Sequence, residues 1–139
     1  MLNASGCEPY RADYSSLDLT EDDLELVARA VRAETEGENF LIKTCVTSMI
    51  FNRLTDPILG CGVEEAVYDG GAFLRADRAS IDKEVSDAEI EEYIILAKTV
   101  RHYGIDPTCG ALFCFRENDC DADYFTVTLE VDGLRFAAP

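Results

Sequence analysis

The hydrophobic period of this chain changes once, near residue 105, and that change limits its fold more than any other feature. Before it, apolar residues recur every three or four positions; after it, they alternate. In "LTEDDLELVARAVRAE", Leu24, Val27, Ala28 and Val31 fall at i, i+3, i+4 and i+7, one stripe of an α-helix. Thr20 stands where an N-cap is needed, and Glu21, Asp22 and Asp23 fill the first turn, where peptide dipoles favour negative charge. A second helix is predicted from about Glu38 to Leu54, with Ile42, Cys45, Val46, Met49 and Ile50 inward, ended by Asp56-Pro57. "GVEEAVYDGG" predicts a short helix closed by Gly70-Gly71, then a loop through Asp82. Ser86 with Glu89 matches a capping box for a last helix carrying Ile90, Tyr93, Ile94, Ala97 and Val100 inward and stopping at Gly104.

After "IDPTCG", the segment "ALFCF" predicts a strand. "YFTVTLEV" predicts another, with Phe125, Val127, Leu129 and Val131 on one face, and "DG" at 132–133 turns the chain into "LRF". The expected class is α+β, a mostly helical body followed by a small C-terminal antiparallel β-sheet. At 139 residues one domain suffices, over 20–139, with the polar residues 1–19 as an N-terminal arm or linker.

Charge narrows the function. Twelve Lys and Arg against 28 Asp and Glu leave a net charge of −16, which argues against nucleic acid, whose phosphates are bound through basic side chains. No apolar run approaches the roughly 20 residues of a membrane span. "MLNASGCEPYR" has neither a basic nor an apolar leader region, so no signal peptide is visible; cytoplasmic synthesis with release, as in a phage enzyme, or an exported protein lacking its leader are the expectations. Six cysteines (Cys7, Cys45, Cys61, Cys109, Cys114, Cys120) include no CxxC pair, and His102 is the one histidine, so no metal or other cofactor is expected; disulfides stay open.

Two polar residues sit where apolar ones belong. Glu34 falls about 20° from Val27 around the first helix, at the rim of the apolar stripe. A carboxyl half against a core has its charged form disfavoured, which suits a general acid, as in glycosidic bond cleavage; a solvated helix-end Glu is the plainer alternative. Arg53 falls within about 20° of Ile42 in the second helix's apolar face, with Asn52 at its edge. A buried Arg needs a carboxylate or carbonyl partners, so a structural ion pair is its plainer reading.

"LVARAVRAETEGE", "VTSMIFNRL", "GVEEAVYDGGAF" and "DPTCGALFCF" together resemble, in order and spacing, the bacterial cell wall hydrolase family that includes the spore cortex-lytic enzymes. The similarity covers about residues 24–136. The resemblance implies a lysozyme-like fold acting on the glycan strands of peptidoglycan at the cell wall, with Glu34 matching the catalytic glutamate of the family's A-E-A-x-G-E motif. It implies lytic transglycosylation of the MurNAc–GlcNAc bond by this one carboxyl, a reaction that needs no second acid; Glu36, Glu38, Asp56, Asp69 and Asp106 are nominal second acids that no spacing favours. Asn52 and Arg53 match the N-R motif and are expected to shape the cleft behind Glu34. Thr108 and Gly110 match the D-P-T-x-G turn, and Phe73, Phe115 and Tyr124 match aromatic positions that line a groove or fill a core. A monomer is expected.

The chain departs from the pattern at Leu134, where the family carries His, at Tyr124 for Trp, at Thr35 for the motif's second Ala and at Cys109 for Gly. Two alternatives follow: an N-acetylmuramoyl-L-alanine amidase, for which a single His is a poor zinc ligand set, and a non-catalytic wall-binding module of the same fold. No Cys has an evident His partner for nucleophilic chemistry, and His102 points away from its helix's apolar stripe.

Overall fold

The computed structural model describes residues 11–59, 62–69, 73–116, 119 and 124–139. Cys7, Cys61, Cys120 and the Gly70-Gly71 helix stop lie outside that set, as does the side chain of Asp69. Helix α1 spans Glu21–Thr35, capped reciprocally: the Thr20 hydroxyl accepts from the Asp23 amide, and the Asp23 carboxylate accepts from the Thr20 amide. Helix α2 spans Phe40–Thr55, with Asn39 as its N-cap. A π-helical turn at Glu65–Asp69 stands where the short third helix is predicted.

The stretch read as loop contains a further helix, α3 (Arg78–Asp82). It is too short for a periodic signal, but Asp77 and Ser80 close a capping box on it. Helix α4 spans Asp87–Tyr103. The Ser86 hydroxyl accepts from the Glu89 amide, and the Glu89 carboxylate lies 3.8 Å from Arg32. Leu96 joins the buried face of α4, and Ile94 sits at its edge. Gly104 ends α4 in the left-handed region at φ 65°, and a Cβ there would stand 2.0 Å from the Ala12 carbonyl oxygen, so glycine is required twice over.

Helix α2 is the correction to the periodicity argument. It was expected to bury one face; the structure buries ten consecutive residues, Thr44–Arg53. Hydroxyls on the extra faces are satisfied along the helix itself: Thr44, Thr47 and Ser48 donate to the carbonyls four residues earlier at 2.8–3.0 Å. Helix α1 packs against α4, α2 and α3 around a core that includes Val27, Val31, Ile50, Phe51 and Val100.

The sheet has strands β1 (Phe113–Arg116), β2 (Thr126–Val131) and β3 (Leu134–Ala138), antiparallel, with β3 in the middle. Asp132 and Gly133 turn β2 into β3 with φ of 48° and 80°, the left-handed pair an Asp-Gly hairpin provides. One expectation fails on a β-bulge. Val127 pairs with Ala137 and Leu129 with Phe136, so Thr128 is an extra residue and the alternation changes sides there. Leu129 faces the core, whereas Phe125 packs with Phe113 and Phe115 at 5.1 and 5.0 Å on the opposite face. The structure is thus a helical body with a small three-stranded antiparallel sheet, as the period change predicts.

Candidate active site

Glu34 closes the last turn of α1, and its side chain is 7% exposed. The chain then leaves the helix through Gly37, whose φ of 84° is the constraint there, since a Cβ would meet nothing within 4 Å. The carboxylate is held by three consecutive backbone amides: Leu74 donates to Oε2 at 2.8 Å, and Arg75 and Ala76 donate to Oε1 at 2.7 and 2.8 Å. Three aligned N–H groups make an anion-binding nest. The rim position of Glu34 in the sequence shows the burial but not this nest.

The carboxylate opens on a cavity of about 490 Å³. Thr35 and Glu38 line it beside Glu34, Ile42 and Val46 come from α2, and Leu74 and Arg75 from the 74–76 segment. Cys114 and Arg116 of β1, Asp119 and the hairpin tip Asp132–Leu134 complete the lining. The register explains the sheet's contribution: Arg116 pairs with Leu134 and Cys114 with Phe136, so the three sheet side chains that line the cavity share one face. Asn39 ties the hairpin tip to α2, its side-chain oxygen accepting from the Ile42 amide at 2.9 Å and its nitrogen donating to Asp132 at 2.8 Å.

Burial, with the Glu34 charge adding to it, pushes the Cys114 thiol up to about 12; burial, then Asp106, then Cys114, do the same to Cys45. Neither is a thiolate nucleophile near neutral pH. Among the described residues, no three His, Cys, Asp or Glu side chains are grouped to hold a metal ion.

Of the site residues expected from the sequence, only Glu34 lines this cavity. Asn52 and Arg53, which match the family's N-R motif, do not line it. Asn52 accepts from the Tyr14 hydroxyl at 2.7 Å and donates to Asp106 and to the Ala111 carbonyl, both at 3.0 Å. Arg53, 4% exposed, donates to the Leu112 carbonyl at 2.7 Å and sits 5.2 Å from the Phe113 ring centre. Thr108 is fully buried and Gly110 gives its amide to Asp106, so the D-P-T-x-G turn is built around that carboxylate. Phe115 belongs to the aromatic cluster on the sheet's other face, Phe73 lines a separate small pocket with Tyr68 and Arg78, and Tyr124 is 75% exposed away from the cavity.

Among the nominal second acids with described side chains, Glu38 alone reaches the cavity; Glu36 pairs with Arg32, and Asp56 receives the Ile58 and Leu59 amides. Asp119 and Asp132 were not anticipated. Asp132 carries a turn signal that also explains its position, and Asp119 follows a stretch without periodicity. His102 is exposed against Tyr103, outside the cavity.

No family model matches the chain. It is 28% identical over 102 residues, 69% of its length, to a spore cortex-lytic enzyme of Halalkalibacterium halodurans, and spans 28% of that relative. Its fold matches the catalytic domain of the Bacillus cereus SleB protein with a TM-score of 0.66 at 21% identity, covering 87% of this chain and 93% of that one. It also matches the catalytic domain of the germination-specific lytic transglycosylase SleB from Bacillus anthracis, with a TM-score of 0.65 at 21% identity, covering 86% and 97%. The chain therefore has the fold of the SleB catalytic domain, and in sequence it resembles the cell wall hydrolase family that includes the spore cortex-lytic enzymes.

Proposed function

We propose that this chain cleaves the glycan strand of peptidoglycan between N-acetylmuramic acid and N-acetylglucosamine as a lytic transglycosylase, with Glu34 as acid and then base. The observation that carries the reading is one buried carboxylate, fixed by a nest of amides and open to a cavity large enough for sugar. The likeness to a lytic transglycosylase fold and to a cortex-lytic enzyme supports the substrate class.

The two oxygens of Glu34 are not equivalent. Oε1 accepts two amides and Oε2 accepts one, so Oε2 retains an open lone pair for a proton. In the first step Oε2–H gives its proton to the glycosidic oxygen as the bond to the muramic anomeric carbon breaks. The muramic 6-hydroxyl then attacks that carbon, and its proton returns to Oε2. The product is a 1,6-anhydro end, no water is consumed, and Glu34 regains its starting protonation. Ile42, Val46 and Leu134 offer an apolar wall to the sugar's C–H faces, while Arg75 and Arg116 supply donors at the rim.

A muramidase outcome is the second reading, favoured by Glu38, Asp119 and Asp132 in the same cavity, since plain hydrolysis ordinarily pairs two carboxyls. Mass spectrometry of the soluble products from purified peptidoglycan separates the readings. Anhydro-muropeptides are expected from the wild type and not from Glu34→Gln. Reducing muramic ends would mean hydrolysis, freed stem peptides an amidase, and no products from vegetative or cortex walls a binding module.

A further inference from the structure

Helix α1 carries a second buried charged residue that neither the sequence motifs nor the proposed chemistry uses. Arg32 is 3% exposed although it is charged and lies one turn from the helix end. Its guanidinium donates to the Ser80 carbonyl at 3.0 Å and to the Glu36 carboxylate at 3.2 Å, with Glu89 at 3.8 Å. Desolvating an arginine is costly unless its donors are matched, and this one is matched to the chain segment that follows the Glu34 nest.

That segment is a short, stiff strap. The amides of 74–76 grip Glu34, Asp77 and Ser80 close their reciprocal cap at 2.8 and 2.9 Å, and Ile81 is buried beneath α3. Fixing the Ser80 carbonyl therefore fixes the Ala76 amide, four residues earlier. The neighbouring polar ties face solvent: Arg75 reaches the Glu36 carbonyl at 3.3 Å, and Arg29 reaches the Lys83 carbonyl, beyond the strap, at 3.1 Å.

We infer that Arg32 is a positioning residue for Glu34, acting through the 74–80 strap by anchoring Ser80 so that three amides stay aimed at the carboxyl. The catalytic consequence rests on the reading of Glu34 as the reacting acid; the positioning itself does not. Helix α1 then supplies both the acid and the anchor of the acid's donors.

The test uses the whole ¹⁵N-labelled protein and reads the backbone amide resonances of Leu74, Arg75 and Ala76, with Arg29→Ala as control. Amides bonded to a carboxylate resonate downfield and exchange slowly. In Arg32→Ala these three are expected to move upfield and exchange about tenfold faster, with an intermediate change in Arg32→Lys, which keeps the charge but not the planar fork. On peptidoglycan, well below either variant's Tm, kcat is expected to fall about tenfold or more with KM unchanged. Arg29→Ala is expected to alter none of these. A folded Arg32→Ala or, if that variant does not fold, a folded Arg32→Lys whose 74–76 amides are unmoved overturns the inference, even if its Tm is lower. Moved amides in Arg32→Ala when the wild type itself cleaves no glycan would uphold the positioning and count against Glu34 as the acid.

Discussion

Two buried carboxylates in this molecule are caged by much the same chemistry, yet of the two only Glu34 lines a described cavity. Asp106, 2% exposed, accepts from the Thr108 amide and hydroxyl on Oδ1 and from the Gly110 amide and the Asn52 side chain on Oδ2. Four donors saturate its four acceptor sites, and it lines none of the described cavities. Glu34 accepts three donors and borders a cavity of about 490 Å³, leaving one site on Oε2 unfilled. The lesson is that donor count, where burial does not, separates a carboxylate closed off by its partners from one left with an open acceptor site.

The contrast is best broken by removing charge from each carboxylate in turn. Asp106→Asn places an NH₂ against two donors whichever way the amide is turned, and is expected to cost about 3–5 kcal/mol in urea unfolding. Asn52→Ala strips one donor from Asp106 and removes both the acceptor of the Tyr14 hydroxyl's 2.7 Å hydrogen bond and the donor to the Ala111 carbonyl; about 2–3 kcal/mol is expected by the same measurement. Glu34→Gln can keep its carbonyl oxygen under the Arg75 and Ala76 amides and sets its NH₂ against the Leu74 amide alone, so about 1–2 kcal/mol is expected. If Glu34→Gln proves as damaging to stability as Asp106→Asn, the two carboxylates are not different in kind.

A smaller effect sharpens the comparison through the thiols. The charge of Glu34 helps to hold up Cys114, and that of Asp106 helps to hold up Cys45, in each case after burial. Glu34→Gln should therefore speed iodoacetamide labelling of Cys114 a fewfold at about pH 9 and leave Cys45 unchanged. Both thiols stay protonated in the fold up to about 12 but titrate near 9 when unfolded, so the unfolded chain releases its protons first. Their contribution to stability is whole below about pH 9 and is lost as the pH rises toward about 12. The urea midpoint should accordingly fall as the pH rises from about 9 toward 12, and less steeply in Cys45→Ala/Cys114→Ala.

Much of the frame was legible because it is written in side chains of fixed chemistry. Thr20, Ser86 and Gly104 mark helix ends by capping and by a left-handed φ, and Asp132-Gly133 marks the hairpin, and each stands where the structure needs it. Glu34 was singled out by its position against the apolar stripe. The rest of the cavity was not, because its decisive groups are backbone amides at 74–76, which no residue type announces. Nor does periodicity reveal Arg32, whose partner is a carbonyl 48 residues away. The family pattern led to Asn52, Arg53 and Thr108, which surround Asp106 and the turn rather than the cavity: a sequence motif marks a required geometry without saying whether it is required by the fold or by a ligand.

The most direct test of Glu34 as the reacting acid is the rate of peptidoglycan cleavage per folded molecule in Glu34→Gln, measured well below its Tm. A loss of at least about 10²-fold in a folded protein is the predicted result, since general acid catalysis supplies about 10²–10⁴. A folded Glu34→Gln that cleaves glycan within about tenfold of the wild-type rate would contradict it and leave Glu34 as the ligand of a strap.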